Sequence, residues 1–306
     1  MEKRCFKITE DIKNKRVDKY LKEVLKEYSR EYVKVLCKNK MVKVNNRYVD
    51  PDKEVSFGDE IEIFLPERED FVEERNVKVE NLDIIYEDDE LLVINKPAFL
   101  KVHPAKKFDK EITLIDLLIK KFPYLKNKDW VLNRPFLVHR LDKETSGVLL
   151  IAKTPKMQFV LSKQFQQREI KKIYRAIVSG EIKISEGEIV APIKKEKNLS
   201  KINFLGKQAE TKFKVISSTK NFSYLELYPK TGRTHQIRTH LKFIGYPIIG
   251  DIIYGGVAQI NNKNVPRIML HAYGIEFFDP RSKKCKKFVA EIPEDFKFFL
   301  SYLSLQ

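Results

Sequence analysis

The hydrophobic pattern of this chain breaks once, and the break constrains how many cores it can build. Pro66 through Val79, PEREDFVEERNVKV, is acidic and weakly patterned, as a linker would be. Apolar periodicity runs on both sides, so each side must bury its own core. A chain of 306 residues suits two domains, or one large domain with a small appendage, at about 100–200 residues per domain. The expected division is a small unit over residues 1–66, an acidic linker over 67–81 and a large unit over 82–306.

Within the first unit, KRVDKYLKEVLKEY places Val17, Leu21, Val24 and Leu25 at helical spacing. Ser29 opens SREYVKVLCKNKMV as a helix cap. VKVNNRYV alternates around the turn-like pair Asn45-Asn46, and VSFGDEIEIFLP alternates after Gly58-Asp59. The order is helix, helix, short strands. Beyond Leu82 the strand candidates are ELLVINKP, GVLLIAK, KIYRAIVSG, KFKVISS, FSYLELYP and GIEFFDP. They do not alternate regularly with helices, which argues against a doubly wound parallel sheet. A mixed, mainly antiparallel α+β sheet is expected.

Charge narrows the partner. The chain carries 59 Lys and Arg against 43 Asp and Glu, a net charge of +16. From Lys13 to Arg47 there are twelve basic and four acidic residues, whereas Asp50 to Glu90 holds four basic and seventeen acidic. Two basic regions flanking an acidic stretch fit two surfaces that meet a polyanion, with a joining segment that does not. Cys5, Cys37 and Cys285 have no paired spacing and read as reduced thiols of a cytosolic protein. No run approaches the ~18 apolar residues of a membrane span, so no membrane partner is expected. No obligate protein partner is implied either.

Two segments could carry chemistry. His139-Arg140-Leu141-Asp142-Lys143-Glu144-Thr145-Ser146-Gly147 precedes the apolar strand VLLIAK, which sets polar side chains at a sheet end. Asp142 lies near Arg and Lys, which keep a carboxylate ionised. Taken alone, this turn fits a structural salt bridge as well as a site. The second segment leaves the strand FSYLELYP, turns at Gly232 and enters a helix bearing Arg233, His235 and Arg238, an anion-binding arrangement or a solvated basic helix. His235 and His240 lie five apart without a carboxylate on their face, so no metal site is expected. No phosphate loop or dinucleotide fingerprint is present.

HRLDKETSG, KKIYRAIVSGE, TGRTHQIRTHL and RIMLHA, in this order, resemble the RluA/RluD-type pseudouridine synthases. NKPAFLKVHP resembles that family's opening motif, and GYPIIGDIIYG the stretch after its arginine motif. The resemblance spans roughly residues 82–290. The N-terminal unit resembles an S4 RNA-binding domain. The resemblance implies an isomerase that converts uridines of structured RNA to pseudouridine without a cofactor. It implies that Asp142 is the catalytic carboxylate, attacking either base or sugar carbon. Tyr174, 32 residues later, matches the tyrosine that stacks on the target base. Arg238 matches the arginine paired with the aspartate, with Arg233 the runner-up. Arg140 matches a residue that fills the gap left by the flipped base, His235 belongs to the same substrate-facing segment, and Leu270 packs beneath the base. Large-subunit ribosomal RNA is the expected substrate, with tRNA the other class left open. The competing reading is a non-catalytic RNA-binding ribosome-assembly factor. Phe99 stands where the family commonly has Gly, which permits backbone angles that Phe does not, and Tyr246 stands where it commonly has His.

Overall fold

A computed structural model describes residues 2–9, 15–25, 30–38, 40–65, 82–104, 111–125, 136–196 and 199–305. The expected linker over 67–81 and the expected cap Ser29 lie outside the described residues. The chain divides into two compact units, residues 1–78 with 104–111, and residues 79–103 with 112–306.

In the first unit, helices Val17–Val24 and Arg30–Lys38 share one apolar core with a four-stranded antiparallel sheet. The strand order is Glu2–Lys7, Glu60–Leu65, Val42–Val44, Arg47–Tyr48. Val17, Leu21 and Leu25 recur every four residues and are buried. Val24, expected on the same stripe, is 40 % exposed; it lies off the i, i+4, i+8 row, at the residue where the helix ends. Asn45 and Asn46 both take positive φ, 48° and 64°. That is the conformation a tight two-residue hairpin turn needs, and asparagine tolerates it.

The second unit is built on a nine-stranded sheet. Its order is Glu186–Val190, Glu210–Ser218, Phe222–Pro229, Lys171–Ser179, Leu270–Asp279, Ser146–Ala152, Leu91–Lys96, Ile84–Glu87. Lys284–Val289 pairs with the outer part of Leu270–Asp279. Every pairing in this sheet is antiparallel except that of Ser146–Ala152 with Leu270–Asp279. The expected α+β class with a mainly antiparallel sheet is therefore the observed one. All seven residues of Ser146–Ala152 are buried. Leu149 and Ile151 enter one apolar cluster, and Val148 and Leu150 enter another. A strand covered on both faces needs such a continuous apolar run.

Two details of this sheet position the site. Gly147 has φ 115°, and a Cβ there would lie 2.2 Å from Ala272 O, so only glycine lets the strand after Asp142 approach Leu270–Asp279. The ladder between Lys171–Ser179 and Leu270–Asp279 slips between Ile173 and Arg175: Ile173 faces Gly274, Arg175 faces His271, and the single residue Tyr174 stands opposite two. A bulge of this kind re-aims side chains and is frequent beside active sites.

Candidate active site

A cavity of about 530 Å³ opens at the end of these central strands, and all seven residues singled out from the sequence line it. Arg140 and Asp142 come from the turn before Ser146–Ala152. Tyr174 stands opposite the bulge and Leu270 comes from the start of the bulged neighbouring strand. Arg233, His235 and Arg238 come from the turn and first residues of helix Gln236–Phe243.

Asp142 is partly buried, its side chain 24 % exposed. Arg238 Nη1 lies 3.4 Å from its Oδ2, and His235 Nε2 lies 3.9 Å from its Oδ1. The short bonds of Arg238 go elsewhere. Its Nε and Nη2 donate to the two carboxylate oxygens of buried Asp251, at 2.7 and 2.8 Å. Such a bidentate pair is geometrically specific. It holds the guanidinium still and leaves Nη1 facing Asp142. Burial pushes the Tyr174 phenol above its ordinary range, and the nearby Asp142 charge pushes the same way. At neutral pH that phenol is protonated, which suits a stacking surface that can also donate a hydrogen bond. Leu270 is 3 % exposed and belongs to the apolar core beneath the cavity.

The remaining groups sit nearer the rim. Arg140 is exposed, and its Nη1 donates to His103 Nε2 at 2.7 Å. Arg233 Nε donates to Gln208 O at 3.1 Å. The helix start is partly satisfied internally, because Gln236 Oε1 accepts from Thr231 Oγ1 at 2.7 Å and from Arg233 N at 3.0 Å. Phe99 adopts φ 66°, so the first loop keeps a left-handed residue although a side chain now stands there. Among the described residues no group of three or more His, Cys, Asp or Glu is placed to hold a metal ion.

Residues 90–243 match the family described as RNA pseudouridylate synthase. The chain belongs to that family. Residues 15–61 match the S4 domain. The chain is 36 % identical over 306 residues to ribosomal large subunit pseudouridine synthase D of Neisseria meningitidis, spanning 95 % of this chain and 79 % of that one. With the synthase D of Haemophilus influenzae it shares 34 % identity, over 94 % and 91 % of the two chains. Two solved structures resemble it: human RNA pseudouridylate synthase domain containing 4 (TM-score 0.59, 27 % identity, 72 % of this chain and 93 % of that one) and domain containing 1 (TM-score 0.56, 26 % identity, 72 % and 86 %). The protein is thus an RNA pseudouridine synthase, an isomerase, with an S4 domain at its N-terminal end.

Several residues that shape this synthase's site were not singled out from the sequence. Asp251 is one; its signal is that GYPIIGDIIYG holds a single carboxylate in an otherwise apolar stretch. His139 is another. Its Nε2 accepts from Leu150 N at 2.8 Å and its ring stacks on Phe165 with centroids 4.7 Å apart. Burial, with a smaller push from Lys172, lowers its pKa to about 3, so it is a neutral anchor for the Asp142 turn. Lys96 is fully buried, and its Nζ donates to Pro97 O at 2.7 Å, Leu100 O at 3.0 Å and Lys143 O at 3.3 Å. It ties the NKPAFL loop to the residue beside Asp142. Burial lowers its pKa to about 7.

Proposed function

We propose that this synthase isomerises uridines of large-subunit ribosomal RNA, with Asp142 as the catalytic carboxylate. The supporting observation is the placement of one partly exposed carboxylate against Arg238 Nη1, in a cavity that also holds Tyr174 and Leu270. The reaction breaks the bond from the uracil nitrogen to the ribose carbon, turns the base, and forms a bond from a uracil carbon to the same ribose carbon. The proton displaced from that uracil carbon is balanced by the one the nitrogen gains, so no electrons enter or leave. A charged carboxylate beside a fixed guanidinium is the nucleophile such a step needs. Tyr174 supplies a face for the extruded base, an interaction worth about 1–3 kcal/mol. Leu270 supplies the floor, and Arg140 stands at the rim where the gap in the RNA would lie. Arg233 and His235 meet the substrate at the helix start.

The ribosomal substrate rests on the relatives being ribosomal large subunit synthases, joined with an S4 domain and a net charge of +16. We assign the activity to the cytoplasm, no cofactor and no obligate protein partner. The experiment is incubation with transcribed large-subunit RNA and with tRNA, followed by pseudouridine mapping. Pseudouridine in the ribosomal transcript with the wild type, absent with Asp142→Asn, supports the reading. Modification of tRNA alone would redirect the substrate. Activity lost in EDTA and restored only by a divalent ion, with RNA folding controlled, would overturn cofactor independence.

A further inference from the structure

We infer that Tyr254 is a positioning residue that sets the tautomer of His235, leaving an N–H donor beside Asp142. The inference rests on the reading of Asp142 as the catalytic carboxylate. Ser200 N donates to Tyr254 Oη at 2.8 Å, and the same oxygen lies 2.9 Å from His235 Nδ1. A phenol has one proton to give. With the backbone amide donating to the oxygen, that proton goes to Nδ1. The neutral imidazole must then carry its own proton on Nε2. Were Nδ1 protonated instead, the phenol would accept twice, and its proton would lack an acceptor in a residue only 3 % exposed. A buried donor left unpaired is costly.

Nε2 is the atom 3.9 Å from Asp142 Oδ1. That is too long for a hydrogen bond, and Nε2 has no other partner among the described residues. It is a donor in reserve. Catalytic hydrogen bonds are often long before substrate binds and tighten in the complex. Burial lowers the proton affinity of His235; Asp142 and Asp251 oppose this, and Arg238 and Arg140 reinforce it. The ring is therefore neutral at pH 7, and its tautomer matters.

The surroundings hold this arrangement under strain. His235 sits at φ 51°, ψ 28°, the left-handed region, which costs a residue with a side chain and persists only where its neighbours demand it. Its ring meets Tyr254 edge-on, with centroids 5.7 Å apart and planes at 88°. The opposite need, a still Tyr254, is met by the turn that carries it. Tyr254 N lies 3.0 Å from Asp251 O and Gly256 N lies 2.8 Å from it. A Cβ on Gly256 would stand 1.9 Å from Ile248 O, so only glycine closes that turn. The Tyr254 ring also faces the Arg238 guanidinium at 4.8 Å. One side chain thus touches both groups that approach Asp142.

The test is Tyr254→Phe, which removes the hydroxyl and keeps the ring. In ¹⁵N-histidine NMR, with His235 assigned by its loss in His235→Gln, the wild type should show the Nε2–H tautomer and Tyr254→Phe should lose that preference. Turnover should fall by about 10- to 100-fold, the usual cost of removing a group that orients an active-site ligand, while KM changes little. Glutamine at 235 offers an amide N–H near the Nε2 position and has no tautomers. In that background Tyr254→Phe should cost less than about twofold, the coupling expected of residues that act through one another. An Nδ1–H tautomer in the wild type, or equal losses in both backgrounds, would overturn the inference. If Asp142→Asn kept full activity, the reading of Asp142 would fail, while the tautomer measurement would still decide the link between Tyr254 and His235.

Discussion

The two units of the molecule handle charge differently. Among the described residues the S4 unit buries one charged side chain, Asp18, whereas the catalytic unit buries Lys96, Lys153, Arg238, Asp251, Arg267 and Asp279. Asp18 itself is flanked by Arg16 and Arg30, each more than a third exposed. Taking an ion out of water costs several kcal/mol, offset only by good partners and hydrogen bonds. Among the described residues no basic side chain of the S4 unit is buried, so those groups can meet phosphate. The catalytic unit accepts the cost of burial and gains groups held at fixed positions, which is what chemistry requires. A binding surface and a reaction centre therefore leave different marks in the same chain.

The sharpest break of that comparison is at the carboxylates. Asp142→Asn is nearly isosteric and should lower turnover by about 10⁴-fold or more, in line with losses at catalytic groups, while RNA affinity and melting temperature stay near wild type. Asp251→Asn should do something else. It strips Arg238 of its bidentate partner and should cost about 3–5 kcal/mol of stability, as a broken buried pair does, with turnover falling as well. Asp18→Asn should lower stability less, because its arginines reach water, and should leave turnover on a short RNA unchanged. Thermal melting alongside single-turnover rates for the three variants separates these outcomes. Full stability in Asp251→Asn would mean that the buried pair does not organise the site.

Acid should divide the units next. All five histidines lie beyond residue 100, and none lies in the S4 unit. Burial holds His271 at about 4 and His139 at about 3, against an ordinary value of 6.5. Below pH 6.5 the unfolded chain takes up protons that the folded chain refuses. The stability from these two groups is thus fully present above about pH 6.5. It is lost as pH falls through the window towards 4 for His271 and towards 3 for His139, on the order of 3 kcal/mol for His271. Hydrogen exchange between pH 7.5 and 4.5 should show protection lost first in the Ser146–Ala152 and Leu270–Asp279 strands. Earlier loss in Glu60–Leu65 would contradict this.

Removing residues 1–65 should act on RNA binding and not on turnover. Each lost phosphate contact should flatten the salt dependence of log affinity by about 0.7–0.9. KM on long structured RNA should rise, with turnover at saturation little changed. Identical salt slopes for the full and shortened chains would mean that the basic run from Lys13 to Arg47 is only a solvated face.

Much of this was legible without coordinates where the cause is local. The stripe Val17, Leu21, Leu25, the Asn45-Asn46 turn and the buried run Ser146–Ala152 follow from spacing and backbone preference, which act over a few residues. The polar turn before a buried strand fitted a salt bridge as well as a site, and only the family resemblance singled out Asp142. Val24 was misplaced because it lies off the i, i+4, i+8 row that Val17, Leu21 and Leu25 share. Arg238 was expected to serve Asp142; its bidentate partner Asp251 did not stand out, because nothing in a sequence states which of two carboxylates a guanidinium will reach first.

By itself, then, the sequence pointed to two units and a mainly antiparallel sheet, and its family motifs pointed to residues that line the cavity. The tertiary structure decided the relations among them. Asp142 and Arg238 are 96 residues apart. They come from a turn and a helix joined to different strands, and around them Gly147 lets one strand lie against Leu270–Asp279, the ladder slips at Tyr174, and helix Gln236–Phe243 begins at a strained His235. Periodicity records which face of an element is buried. The distances between side chains on different elements depend on sheet register and strand approach, and these are settled only when all the elements pack at once.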